Sequence, residues 1–233
     1  MQDPFATLVL VAAGRSSRMG ESPRSKVLLP LAGKTLLEHT LGAFAQAKTV
    51  RDLVLAARPE DFEELRPLAK TSGLNLHAMV PGGAERFHSV AAGCRAADPQ
   101  SQVLLIHDAA RPLVRPRHID AVAHAALADG AALLALPVTD SLHRSSNGTQ
   151  VHEPVDRAPL WAAQTPQGFR TQAFHDLLKR AETITPPPTD DVALFEQFAG
   201  PVTLVQGTPD NIKVTRPEDL PIAEALLRAR AMQ

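Results

Sequence analysis

The chain carries a single cysteine, Cys94, in 233 residues. No internal disulfide is possible, and one thiol suits a reducing compartment. Charge of neither sign is in excess: the formal net charge is −1. A general nucleic-acid binder is usually strongly basic, so that class is set aside. A small anionic ligand fits better, because a few local cations suffice for it. No apolar run approaches the ~20 residues of a membrane span. The N-terminus has no basic segment followed by an apolar stretch, so no signal peptide is expected. These absences point to a cytoplasmic setting, with no membrane and no nucleic-acid partner.

The usual catalytic signatures are missing as well. There is no Gly-x-Ser-x-Gly, no Cys-x-x-Cys, no His-Glu-x-x-His and no Walker A motif. The Gly-x-Gly-x-x-Gly dinucleotide fingerprint is absent, since Gly14 is followed by Ser16 and Met19.

Apolar residues, in contrast, are plentiful at 44%, enough for a full core. Short apolar strands are expected at Thr7–Ala12, Asp52–Ala56, Leu74–Val80, Gln102–His107, Ala131–Pro137 and Val202–Gln206. Helical patterns lie between and after them, near Thr35–Gln46, Glu60–Ala69, Arg86–Ala97, Arg117–Asp129, Thr171–Glu182 and Glu218–Arg230. This alternation predicts an α/β fold: a single doubly wound, mostly parallel sheet with helices on both faces. Val103-Leu104-Leu105-Ile106 is apolar on both faces, as a buried parallel strand demands. In such sheets ligands collect at the carboxyl ends of the strands.

The first strand runs into Ala12-Ala13-Gly14 and a basic, serine-rich loop that reaches Lys26. Gly14 lets the backbone approach phosphate oxygens, and loop N–H groups with a nearby helix start supply partial positive charge. Arg18 and Lys26 add full charges, with Arg24 a second candidate for the role of Lys26. The loop reads as a polyphosphate cradle or as an ordinary strand–loop–helix corner.

Later segments offer further candidates. Asp108, in His107-Asp108-Ala109-Ala110-Arg111-Pro112, follows a central strand and is placed to hold Mg²⁺ against phosphate oxygens, or else caps a turn. His107 reads as a packed or hydrogen-bonding histidine. In Pro81-Gly82-Gly83-Ala84-Glu85-Arg86 the paired glycines let a flat ring lie against the backbone. Ser89 could offer a hydroxyl to a base edge; a plain glycine turn is the alternative. Asp210 and Lys213 could face a metal and a phosphate, or form a solvated charge pair. Asp156-Arg157, Gln164-Thr165-Pro166-Gln167 and Thr189-Asp190-Asp191 read as polar loop clusters, with Asp190-Asp191 favouring a helix N-cap. What these residues share is cations and one or two carboxylates around a phosphate loop. That set suits phosphoryl or nucleotidyl transfer run by positioning and charge stabilisation.

Residues 138–160 break the helical rhythm. They contain Asn147-Gly148, a strong hairpin signal, flanked by Leu142-His143-Arg144 and Val151-His152. A projecting hairpin has little core of its own and gains by pairing with another subunit, so a homodimer is expected.

Taken together, the segments resemble the 2-C-methyl-D-erythritol 4-phosphate cytidylyltransferases. The resemblance rests on Ala12-Ala13-Gly14 with Arg18-Met19, on Lys26, on Gly82-Gly83-x-Glu85-Arg86 with Ser89-Val90, and on His107-Asp108-Ala109-Ala110-Arg111-Pro112. It continues through Asp140-Ser141, Val155-Asp156-Arg157, Thr165-Pro166-Gln167 and Asp210-Asn211-Ile212-Lys213-Val214-Thr215. It implies one Rossmann-like nucleotidyltransferase domain over 1–233, with a β-arm at about 138–160. It also implies transfer of CMP from CTP to a sugar-alcohol phosphate, with release of pyrophosphate.

By resemblance, Arg18 and Lys26 stabilise phosphate charge, and Asp108 binds Mg²⁺. Ala12, Ala13, Gly14, Gly83, Ser89 and Asp108 hold CTP. Ser141, Arg157, Thr165, Asp210 and Lys213 serve the acceptor, with Ser141 and Arg157 reaching it from the other subunit. The chain departs from the pattern where Ser16 replaces a second glycine, Ser25 a proline, Ala84 an aspartate and Ser141 a threonine. The Gly-Arg-Ser-Ser-Arg-Met wording is closer to molybdopterin nucleotidyltransferases. A ribitol 5-phosphate cytidylyltransferase and a non-catalytic nucleotide-binding regulator are the other readings.

Overall fold

The computed structural model describes residues 4–14, 25–181 and 190–232. Along the chain run β1 (Ala6–Val11), β2 (Pro30–Leu31), β3 (Lys34–Thr35), α1 (Leu36–Ala45), β4 (Val50–Ala57), α2 (Phe62–Lys70), β5 (Asn75–Pro81), α3 (Arg86–Arg95) and β6 (Val103–Asp108). Then follow α4 (Pro116–Asp129), β7 (Ala131–Pro137), β8 (Leu142–Arg144), β9 (Glu153–Val155), β10 (Trp161–Arg170), α5 (Thr171–Ala181), α6 (Asp191–Phe198), β11 (Thr203–Gln206) and α7 (Asp219–Ala231).

A seven-stranded sheet has the order β11-β7-β10-β6-β1-β4-β5. β1 pairs in parallel with both β4 and β6, and β4 with β5. Only β10 runs against its neighbours, β6 and β7, while β11 is again parallel to β7. Alternate residues of each central strand enter opposite layers. Leu8, Leu10, Leu53, Leu55 and Leu105 pack with Phe44 of α1, Leu65 of α2 and Ile119 and Val122 of α4. Val9, Val54, Leu104 and Ile106 pack with Phe87 and Val90 of α3, Phe174 of α5 and Phe195 of α6. With apolar residues on both faces, each strand must be covered twice, which is why helices flank the sheet on both sides.

The expected strands and helices are present, with ends shifted by a residue or two. β10 departs from expectation. Gln164-Thr165-Pro166-Gln167 lies within this strand and not in a loop. Its alternation is broken by Pro166, and the pairing with β7 skips between Ala163 and Gln167. The bulge lets a strand carry a proline, which has no N–H to give a ladder. The helix cap expected at Asp190-Asp191 is present: Asp190 is the N-cap of α6, accepting a hydrogen bond from the Val192 N–H. The arm is a short antiparallel pair, β8 with β9, in register Leu142 to Val155 and Arg144 to Glu153. Asn147-Gly148 lies in a longer loop, where Asn147 Oδ1 accepts from the N–H groups of Thr149 and Gln150.

Candidate active site

The carboxyl ends of β1, β4, β5 and β6 open into one cleft of about 580 Å³. Its floor is backbone. Ala12 N–H donates to the Ala56 carbonyl at 2.7 Å and Gly82 N–H to the Ala57 carbonyl at 2.8 Å. These bonds bring the three strand ends together. A Cβ on Gly82 would stand 2.1 Å from the Ala13 Cβ, and one on Gly83 would stand 2.2 Å from the His88 Cβ. Only glycine allows this approach of the two loops. Ser89, on the first turn of α3, accepts from Gly83 N–H at 3.1 Å and braces the glycine loop from below.

The wall is charged. Asp108 ends β6, and its carboxylate accepts from Lys213 Nζ at 2.6 Å and from Arg86 Nε at 3.2 Å. Burial works against the charge of Asp108, but Arg86 and Lys213 outweigh it and hold its pKa well below the usual carboxylate range. Arg86 in turn donates to Asp191 at 2.6 Å, a fully buried residue at the start of α6. Burial disfavours the Arg86 charge too, yet the two carboxylates keep its pKa above the ordinary value. The result is a chain of alternating charge, Asp191–Arg86–Asp108–Lys213, that links α6, α3, β6 and the loop before α7.

Lys213 is brought in by a loop with no regular structure. Asn211 Nδ2 donates to the Thr165 carbonyl at 3.1 Å and to Gln164 Oε1 at 3.2 Å. Arg111 donates to the Asn211 carbonyl at 2.9 Å, and Val214 N–H to the Ala110 carbonyl at 2.8 Å. Lys26, on a 3-10 turn at Lys26–Leu28, donates to the Val214 carbonyl at 3.1 Å. Two lysines distant in sequence thus meet at one rim.

Ala12, Ala13, Gly14, Lys26, Gly83, Ser89, Asp108 and Lys213 all line the cleft. Arg18 and Arg24 lie outside the described residues. Thr165 is 4% exposed and turned into the protein, its Oγ1 accepting from the Asp108 N–H. Asp210 does not line the cleft; its carboxylate is held by Arg115 at 2.5 Å and by Arg230 at 2.7 Å. Ser141 and Arg157 sit at the root of the arm, exposed and outside the cleft of their own chain, with Arg157 donating to the Thr139 carbonyl.

His107 is fully buried, and burial lowers its pKa to about 3, so it stays neutral. Sequence reasoning passed over Arg58, Pro59 and Glu60, which follow β4 and wall the cleft beside Gly82. No motif marks them; their place after a parallel strand is the signal that points there. Arg86 and Asp191 were in view as motif and cap residues, and only packing shows them as partners.

A cleft at the carboxyl ends of a doubly wound sheet, floored by glycine backbone and walled by fixed cations, defines a nucleotide-dependent group-transfer enzyme. The sequence profile of the 2-C-methyl-D-erythritol 4-phosphate cytidylyltransferases matches residues 6–229. The cytidylyltransferase of that name from Pelotomaculum thermopropionicum is 40% identical over 224 residues, covering 95% of this chain and 94% of that protein. The one from Gloeobacter violaceus is 40% identical over 229 residues, covering 97% of each. The crystal structure of the Thermus thermophilus enzyme aligns with a TM-score of 0.76 at 32% identity, over 95% of this chain and 98% of that one. The Anaerococcus prevotii synthase aligns with a TM-score of 0.84 at 27% identity, over 97% and 96%. The chain belongs to the 2-C-methyl-D-erythritol 4-phosphate cytidylyltransferase family, whose reaction joins CTP and methylerythritol phosphate in isoprenoid precursor synthesis.

Proposed function

We propose that the cleft holds the CTP of this reaction and that Asp108, Lys26 and Lys213 mark the reacting end. The observation that carries the assignment is the ion-paired Lys213–Asp108 contact beside Lys26 at the end of β6. Ala12, Ala13, Gly14 and Gly83 supply a backbone wall for the nucleoside and phosphates, with Ser89 holding Gly83 in place. Arg18 and Lys26 offset charge on the triphosphate.

The attacking acceptor is a phosphate monoester, largely a dianion at neutral pH because its second pKa is about 6. It needs no general base. Its difficulty is repulsion by a polyanion, and fixed cations remove it, each contributing several kcal/mol of transition-state stabilisation. Lys213, on the β6–β10 side of the cleft, is placed to receive the acceptor phosphate.

Among the described residues, no group of three or more His, Cys, Asp or Glu side chains is placed to hold a metal. A hard cation bound through substrate phosphates needs only one or two carboxylates, and Asp108 supplies one. Mg²⁺ held there would neutralise phosphate charge on the nucleotide.

Ser141 and Arg157 gain a role only in a neighbouring subunit's cleft. Val151, 68% exposed in the loop of the short arm, and Trp161, 38% exposed at the start of β10 beside the arm's root, support a homodimer formed through it. A single domain over 1–233 bearing the arm at about 138–160 is supported by the one continuous main sheet. Among the described residues no helix is long and apolar enough to cross a membrane. A cytoplasmic setting agrees with that and with the single buried thiol.

Pyrophosphate release from CTP, measured in parallel with methylerythritol 4-phosphate and ribitol 5-phosphate, tests the assignment. Turnover with the first acceptor, and a fall of ~100-fold or more in kcat for Lys26→Ala in a folded protein, is the expected result. Near-normal kcat in that variant removes Lys26 from the reacting end.

A further inference from the structure

His107 touches neither the cleft nor solvent, yet its ring nitrogens join three pieces of the acceptor end. Nε2 lies 3.2 Å from the Arg111 carbonyl, and Nδ1 lies 2.9 Å from Thr165 Oγ1. The ring stands edge-on to Phe44, with centroids 4.9 Å apart. The partners determine the tautomer. A carbonyl can only accept, so Nε2 carries the proton and Nδ1 is the acceptor. The Thr165 hydroxyl must then donate to Nδ1. The same Thr165 oxygen accepts from the Asp108 N–H at 3.2 Å.

The hydrogen bonds therefore run one way, from Asp108 N–H to Thr165 and from Thr165 to His107, while His107 donates separately to Arg111. The chain continues the contact of β10 with β6 beyond their last ladder pair, Gln167 with Ile106. It spans the strand end that carries Asp108, the turn that carries Arg111, and the strand whose Thr165 carbonyl holds Asn211 and so the Lys213 loop. The proton of Thr165 is spent inward, so this hydroxyl does not donate to substrate.

We infer that His107 is a positioning residue for the acceptor side of the site, acting through Thr165 and Asn211 on the aim of Lys213. The nucleoside floor, made by β1, β4 and β5, meets His107 through the β1–β6 backbone ladder, where Leu10 pairs with it, and takes no part in its side-chain hydrogen bonds. This inference rests on the proposed division of the cleft into a nucleotide side and an acceptor side.

The test measures pyrophosphate release while CTP and methylerythritol 4-phosphate are varied separately. His107→Leu keeps the volume and loses both bonds; His107→Asn keeps an acceptor near the Nδ1 position. The expected result for His107→Leu is a rise of about tenfold in KM for the acceptor, with KM for CTP within about twofold. His107→Asn should recover most of that loss. Thr165→Val breaks the same bond from the other side and should show the same selective change, with Thr165→Ser close to wild type. The double variant His107→Leu/Thr165→Val should be no worse than the poorer single one, because the two share one interaction. These variants serve if His107→Leu does not fold. Equal changes in both KM values, or additive losses in the double variant, overturn the positioning role. A rise in KM for CTP with KM for the acceptor unchanged would instead overturn the division of the cleft.

Discussion

Lys213 Nζ lies 2.6 Å from Asp108 Oδ2, although the residues are 105 positions apart. Neither residue alone marks a site. Together they place a cation and a carboxylate at the end of the central strand, where Lys26 also converges. The proposed charge stabilisation rests on that convergence, and the outcomes below test it and the site around it.

The arm separates a swapped dimer from a self-contained subunit. If Arg157 completes the neighbour's site, Lys26→Ala and Arg157→Ala proteins are each nearly inactive. Mixed and re-equilibrated, half the dimers are hybrids, each with one intact site. Activity should then return to about a quarter of wild type. No recovery in verified hybrids would place Arg157 in the site of its own chain.

Asp210 is expected to act on stability more than on turnover. Burial works against its charge, and the Arg115 and Arg230 guanidinia outweigh it, lowering its pKa to about 2. A depressed carboxylate stabilises the fold fully above its unfolded pKa of about 3.9 and loses that contribution as pH falls toward its folded value. Asp210→Asn should lower Tm by roughly 3–8 °C at pH 7. The gap from wild type should shrink between about pH 4 and pH 2. An unchanged Tm with a tenfold higher acceptor KM would show instead that Asp210 reads the acceptor.

Gly82→Ala probes the floor. The new Cβ would need room that Ala13 occupies at 2.1 Å, so the β1 and β5 loops must separate. A loss of ~10-fold or more in kcat/KM for CTP is expected, with the acceptor KM little changed. A silent substitution would mean that these loops do not need to meet.

Removal of divalent cations by a chelator should abolish turnover, and Mg²⁺ should restore it. A chelator-insensitive rate would contradict the metal role given to Asp108. In Asp108→Asn, restoration should need a higher Mg²⁺ concentration, since one carboxylate ligand is gone.

Much of this molecule is written in local pattern. Leu8-Val9-Leu10 and Leu104-Leu105-Ile106 are apolar at every position, so each strand must be covered on both faces, and the alternation with helices leaves a parallel sheet as the outcome. The glycine pair at 82–83 and the run around Asp108 are legible for the same reason: backbone freedom and chain position are properties of short segments. β10 is not legible in this way, because Pro166 hides a strand that pairs with β6 and, across a bulge, with β7.

What only the tertiary structure decided is which side chains meet. Asp210 reads as a ligand beside Lys213, yet the two carry different duties, because Arg115 and Arg230 reach the first and Asp108 the second. Asp191 reads as part of a helix cap and is instead the buried partner that keeps Arg86 against Asp108. Ion pairs act over a few ångströms and are assembled from distant segments, so sequence spacing carries no record of them. The fold came from periodicity; the charge arrangement of the site came from packing.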